Sequence, residues 1–504
     1  MKTVTTLATG SLIASLAHAQ VVQFDIAKRD TKIGLQKLGR RQAKTYEQTI
    51  KNDLQRGGYF ATVAVGTPPQ NLTLQLDTGS SDIWVPSSTS SVCSSSSSSG
   101  GSRGGDSGTS GGEQGCSLGS FDPSKSKTFA DVGKGLFSIS YVDGSHSKGD
   151  YFTDVFEIGG ATLSNMTMGL GIDTDIPYGL VGVGYALNEA IVADTQKVSS
   201  AYKNLPVQMM EEGMISTNAY SLWLNDLDAS TGQILFGGVD TAKYQGQMSV
   251  IDVLKDADTN AFTSFIVALT SLNANSPSGS DTLSSRQFPI PVVLDSGTTL
   301  SYLPTDLAIQ VWKEVGAVWD KETQMAFVPC GIENSKGTFE FGFAGPNGPK
   351  ISVDMTELVL DIGENGEPRF PSGQYKGQSI CQFGIQNFTS GPFLLGDTFL
   401  RSAYVVYDLE NNQIGMAKTD FNSTKTNIVA FPSKGAAIPS GTVVPNQVTT
   451  TGSGSGSFTS PAYSASKGFQ SAAGTVSATL EWGHLAVIGA TAAFMFGGNG
   501  LFFL

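Results

Sequence analysis

At 504 residues the chain is long enough for two or three domains with substantial cores. Its 60 glycines, with abundant Ser and Thr, point to turn-rich β structure and irregular segments. A formal charge of −13 excludes a nucleic-acid binder, which needs a basic footprint, and suits work at low pH or on basic peptides.

Residues 1–19 carry Lys2, an apolar run at 12–16 and the small-residue exit Ala17-His18-Ala19, which predicts a secretory signal cleaved before Gln20. Residues 20–41 hold six basic and two acidic side chains, with dibasic pairs at Lys28-Arg29 and Arg40-Arg41. Such a propeptide can cancel the charge of an acidic cleft and act as an intramolecular inhibitor until removed. The expected mature start follows Arg41, with Arg29 as the alternative.

Next comes a predicted N-terminal lobe over 42–245. From 58 to 76 the apolar residues alternate, turn at Gly66-Thr67-Pro68-Pro69, and alternate again through Leu72, Leu74 and Leu76. That is a hairpin with one buried face, delivering Asp77 at its end. Asp77-Thr78-Gly79-Ser80 then forms a tight turn before Ile83-Trp84-Val85-Pro86. Between Cys93 and Cys116 the chain is Ser/Gly-rich and cannot build a core, which predicts a flexible surface loop. This loop contains Asp106-Ser107-Gly108-Thr109, a copy of the turn motif with no apolar strand leading into it. The four-residue motif alone is therefore weak evidence, and the strand before it carries the specificity.

A second hairpin spans residues 137–152, its tip at Asp143-Gly144. It is followed by Asp173, Asp175 and the apolar strand Tyr178-Gly179-Leu180-Val181-Gly182. The C-terminal lobe, predicted over 246–432, repeats the pattern. Leu294-Asp295-Ser296-Gly297-Thr298 closes on Pro304, a helix is predicted over 306–315, and Phe393-Leu394-Leu395-Gly396 supplies the second apolar-Gly strand. From Asp77 to Leu180 is 103 residues and from Asp295 to Leu394 is 99. A motif pair repeated once at matched spacing reads as an internal duplication.

Residues 433–471 are Ser, Thr, Gly and Pro-rich, predicting a stalk. Residues 472–504 combine a polar spacer with an apolar tail and match a GPI-attachment signal, with Ser471 as the favoured attachment residue. A plain C-terminal transmembrane helix is the alternative, disfavoured by Gly497-Gly498-Asn499-Gly500 and the lack of flanking Lys or Arg. A secretory route to the plasma membrane or cell wall follows. Sequons at Asn71, Asn165, Asn387 and Asn422 agree with that route. So do four cysteines, which an oxidising compartment should pair. Of three connectivities, Cys93–Cys116 and Cys330–Cys381 are favoured because each closes a loop within one half.

The residue inventory narrows the chemistry. Only His18, His146 and His484 exist, and the first and last lie in segments expected to be removed. That leaves neither a Ser-His-Asp relay nor a zinc set, and no metal or cofactor is expected. Two facing carboxylates need neither. Held close they share one proton, so one can activate a water while the other protonates a carbonyl oxygen. Asp77 and Asp295 are the candidate pair. Gly79 and Gly297 permit close approach, and Ser80 and Thr298 are placed to bond the carboxylates.

These motifs resemble the pepsin-like aspartic endopeptidases over most of residues 55–422. The likeness includes Trp84, Tyr141, the 179–182 and 393–401 segments, and the closing strands at 407–417. The resemblance implies an all-β, bilobal fold with minor helix, pseudo-two-fold related lobes, and a cleft between them. It also implies a flap over polypeptide substrates at Tyr141, Asp143, Gly144 and Ser145, and a monomer. Val142 stands where the family usually has Gly. The signal, basic leader, Ser/Gly insertion, stalk and anchor signal together look most like fungal yapsins, which favour Lys or Arg. Asp143, Asp173 and Asp175 are the candidate partners for such a side chain. Two rival readings are a catalytically silent wall-bound relative, which would have lost an Asp, and a surface adhesin, which would not need the paired motif.

Overall fold

The computed structural model describes the backbone of residues 22–28 and residues 58–94, 115–229, 231–362, 368–449, 465 and 469. The expected signal, most of the leader, the insertion at 95–114, Ser471 and the anchor signal lie outside these residues.

The alternating segment at 58–76 forms the expected hairpin, strands Tyr59–Val65 and Gln70–Asp77, with Leu72, Leu74 and Leu76 buried. From its end the chain builds one arrangement twice. Gln70–Asp77 pairs in parallel with Leu180–Gly182, which pairs antiparallel with Ile83–Pro86. In the second half, Ile290–Leu294 pairs in parallel with Phe393–Leu395, which pairs antiparallel with Ser301–Pro304. Asp77 registers with Gly182, and Leu294 with Leu395. The nearly equal spacing in the sequence reflects this parallel pairing. The glycines that end the two apolar strands are required by contact. A Cβ on Gly182 would lie 2.7 Å from the Asp82 backbone, and one on Gly396 would lie 2.2 Å from the Thr298 carbonyl.

A 14-stranded sheet joins the N-terminal lobe to a platform made from both halves, including Ala219–Trp223, Thr231–Phe236, Tyr244–Asp252, Ala403–Asp408 and Gln413–Thr419. The C-terminal lobe adds an 8-stranded and a 4-stranded sheet. Helix is sparse, and Thr305–Val315 buries Leu307, Val311 and Trp312 against the lobe core. One apolar cluster runs through both halves, from Tyr59 to Phe341 and Tyr407. Among the described residues no helix is long and apolar enough to cross a membrane. Disulfides join Cys93 to Cys116 and Cys330 to Cys381.

Two segments carry structure that the sequence reading did not anticipate. The described part of the expected propeptide, Val22–Lys28, is a strand inside the platform, paired with Thr231–Phe236 on one side and meeting Tyr59 and Phe60 on the other. The folded body also does not end at 432. Ile428–Ala430 pairs with Gly238–Asp240, and Gly441–Val443 adds in parallel to Met248–Val250. Ile438 and Val444 are buried, so residues 433–449 belong to the body and not to a free stalk.

Candidate active site

Each aspartate ends a buried strand, and the next three residues satisfy its carboxylate. Gly79 N donates to Asp77 Oδ1 at 2.7 Å and Ser80 Oγ donates to Asp77 Oδ2. Gly297 N donates to Asp295 Oδ1 at 2.8 Å and Thr298 Oγ1 donates to Asp295 Oδ2 at 2.6 Å. The two turns are then clasped by the residues between. Thr78 Oγ1 donates to Leu294 O at 2.9 Å while accepting from Ser296 N, also at 2.9 Å. Ser296 Oγ donates to Leu76 O at 3.1 Å and accepts from Thr78 N at 3.2 Å. This reciprocal, buried set fixes one lobe's turn against the other's.

The clasp brings the carboxyl groups face to face. A Cβ on Gly79 would lie 2.5 Å from Asp295 Oδ1, and one on Gly297 would lie 2.3 Å from Asp77 Oδ1. Asp77 is 4% exposed and Asp295 7%. Burial first, then the neighbouring Asp295 charge, pushes the Asp77 carboxyl up to about 7, against the lowering bonds from Ser80 and Gly79. The pair therefore shares one proton in the acid range.

Two further side chains frame the turns. Gln75 shares a strand face with Asp77, and its Nε2 donates across the lobe boundary to Gly297 O at 3.1 Å. Asn188 Nδ2 donates to Gly79 O at 3.1 Å. Neither figured among the sequence candidates. The spacing Gln75-x-Asp77 was the available signal for the first, and nothing local marks the second.

The flap is the hairpin of Ala130–Ser140 and His146–Ile158. Tyr141 N donates to Ser145 O and Gly144 N to Tyr141 O, at 2.8 and 2.9 Å, with Gly144 at φ +84°. That is a tight turn needing a residue tolerant of positive φ at its end. Trp84 Nε1 donates to Tyr141 Oη at 2.7 Å, pinning the flap to the strand after Asp77. Burial and then the Asp77 charge raise the Tyr141 hydroxyl.

The three carboxylates proposed for a basic substrate side chain separate into two places. Asp143 sits at the tip, accepting from Ser145 N and Oγ at 2.9 and 2.6 Å. Burial and then the Asp143 charge raise the hydroxyl of Tyr302 on the opposite lobe. Asp173 and Asp175 lie at the flap base beside His146, with Nε2 to Asp173 Oδ1 at 3.9 Å and Nδ1 to Asp175 Oδ2 at 3.3 Å. Asp175 Oδ1 also accepts from His146 N at 2.9 Å. These two are engaged by the flap itself.

Under the flap, Asp82 accepts from Tyr151 Oη, Tyr202 Oη and Ala190 N at 2.9, 2.8 and 2.8 Å. Glu189 accepts from Tyr202 N at 2.8 Å, is fully buried, and is pushed up to about 10 by burial and then by the Asp82 charge. It is a neutral acid at working pH. Of the sequons, Asn71, Asn165 and Asn422 are exposed, while Asn387 is half-buried with its amide donating to Thr305 Oγ1 at 3.1 Å. Among the described residues no group of His, Cys, Asp and Glu could hold a metal ion.

The family model for eukaryotic aspartyl proteases matches residues 58–419. A protein named "Probable aspartic-type endopeptidase OPSB" from Arthroderma benhamiae is 42% identical over 413 residues, 81% of this chain and 78% of that one. One of the same name from Aspergillus oryzae is 38% identical over 432 residues, 85% and 82% of the two chains. "Secreted aspartic protease 8" of Candida albicans is 34% identical over 380 residues, 75% and 80% of the two.

Proposed function

The chain belongs to the eukaryotic aspartyl protease family, and from that premise we propose how this aspartic endopeptidase works and where. Asp77 and Asp295 hold a water between them. The ionised member of the pair takes a proton from the water as it attacks the scissile carbonyl, and the protonated member donates to the carbonyl oxygen. The roles reverse as the tetrahedral intermediate collapses. Tyr141, pinned by Trp84, closes the flap over the substrate and keeps bulk water out. The observation that carries this reading is the approach of each carboxylate to the other turn's glycine.

Finer features belong to the same proposal. Asp143 at the flap tip selects Lys or Arg beside the cleaved bond; its place at the tip, held by Ser145 and in no ion pair among the described residues, supports this. The enzyme is a monomer, made with a signal over 1–19 and an inhibitory leader, and anchored through Ser471 by GPI at the cell surface. The anchor-like tail supports the last step, and a secreted relative supports the route.

A peptide-library digest at several pH values, with and without pepstatin, tests the whole. The expected result is pepstatin-sensitive cleavage in acid, enriched for Lys and Arg, with the enrichment lost in Asp143→Ala. Retained cleavage in both Asp77→Asn and Asp295→Asn would sink the mechanism. Equal cleavage beside Lys and Leu would sink the selectivity alone.

A further inference from the structure

Residues 433–449 do not leave the body. Gly441–Val443 extends the platform sheet, Val444 N donates to Val250 O at 3.0 Å, and Asp252 N donates to Gln447 Oε1 at 2.8 Å. Val448 N then donates to Ala344 O at 3.0 Å, so the strap has crossed from the platform to the C-terminal lobe. Ala344 directly follows the strand Thr338–Phe343.

At the start of that same strand the chain docks again. Phe469 is 0% exposed and stacks on Phe339 with ring centroids 5.1 Å apart and an interplanar angle of 22°. Its backbone N donates to Glu314 Oε2 at 3.0 Å, a carboxylate that is itself 1% exposed on the helix Thr305–Val315. The socket exists because residue 337 is glycine. A Cβ there would lie 1.8 Å from the Phe469 ring. The Phe469 ring is thus seated in the lobe core with a buried acid capping its amide.

We propose that residues 433–449 together with Phe469 form a strap, and that the Gly337–Phe339–Glu314 socket is its lock. The strap holds the catalytic body against its own attachment point. The membrane consequence rests on the GPI reading above. With attachment at Ser471, two residues past Phe469, an extended chain allows at most about 7 Å between the locked residue and the anchored one. The face carrying the socket would then lie at the anchored surface, and the protease would work in a fixed orientation instead of at the end of a free tether.

The test uses the mature protein solubilised in detergent, with hydrogen exchange read over residues 465–471. Protection at Phe469 N is expected in the wild type, with at least tenfold faster exchange in Gly337→Ala and in Phe469→Ala. The first variant expels the ring without changing it; the second removes the ring and leaves the socket. Both should keep the wild-type kcat on a short peptide. Unprotected exchange in the wild type, or protection unchanged in both variants, would overturn the lock. Release of the protein from cells by phosphatidylinositol-specific phospholipase C is scored separately. Resistance to release overturns the anchor and the membrane orientation, while the lock stands or falls on exchange alone.

Discussion

Gln75 Nε2 lies 3.1 Å from Gly297 O and is the only side-chain amide among the described residues that crosses from the first aspartate's strand to the second aspartate's turn. Its counterpart by register is Val293, since Gln75 pairs with Leu180 and Val293 with Leu394. An otherwise two-fold site is therefore asymmetric at this position. Gln75→Val should restore the symmetry and lose one bond, worth about 1 kcal/mol net, or roughly fivefold in kcat/KM. Steady-state kinetics with a thermal melt check it: the expected result is a kcat loss with a nearly unchanged melting temperature.

The dyad sets the pH range. Because the Asp77 carboxyl is pushed up to about 7, the pair keeps its proton below that value and loses it above. Activity should fall about tenfold per pH unit once the proton is gone. Asp77→Asn and Asp295→Asn should each lower kcat by at least about 10³-fold. A pH–rate profile that stays flat to pH 9 would contradict the shared proton.

The turn glycines are steric requirements. Gly297→Ala would drive a methyl into Asp77 Oδ1, at 2.3 Å, and displace a carboxylate that must be placed to within a fraction of an ångström. A loss of about 100-fold or more in kcat is expected. Far-ultraviolet circular dichroism should be unchanged, because the atoms nearest the added methyl all belong to the Asp77 carboxyl group.

Glu189 makes the fold favour acid. Its carboxyl is raised to about 10 in the native state against an ordinary value of 4.5. Stability from this group is fully present below 4.5 and is lost as pH rises toward 10, at about 1.4 kcal/mol per unit. Between pH 4.5 and 7.5 that is roughly 4 kcal/mol. Urea midpoints should therefore drop from pH 4 to 8 in the wild type and change much less in Glu189→Gln, which keeps the shape without the proton.

Much of the site was readable from local pattern. Leu72, Leu74 and Leu76 alternate because one strand face meets the core, and that alternation points Asp77 the other way. The glycine after each apolar strand was readable too, because another backbone passes against it. The acids at 173 and 175 were grouped with Asp143 by charge, but the structure gives them to His146. Residues 433–449 were taken for stalk by composition. Gly441–Val443 joins the sheet through backbone bonds, which leave no side-chain signature.

The residues themselves fixed the class of chemistry: paired carboxylates in matched turns, with almost no histidine to support a rival. Short-range rules suffice there, since strand period and turn preference act within a few residues. How tightly the dyad holds its shared proton, which amide crosses to the second turn, and where Phe469 docks were decided only in three dimensions. Each depends on burial and on contacts between residues far apart in the chain, from 75 to 297 or from 314 to 469.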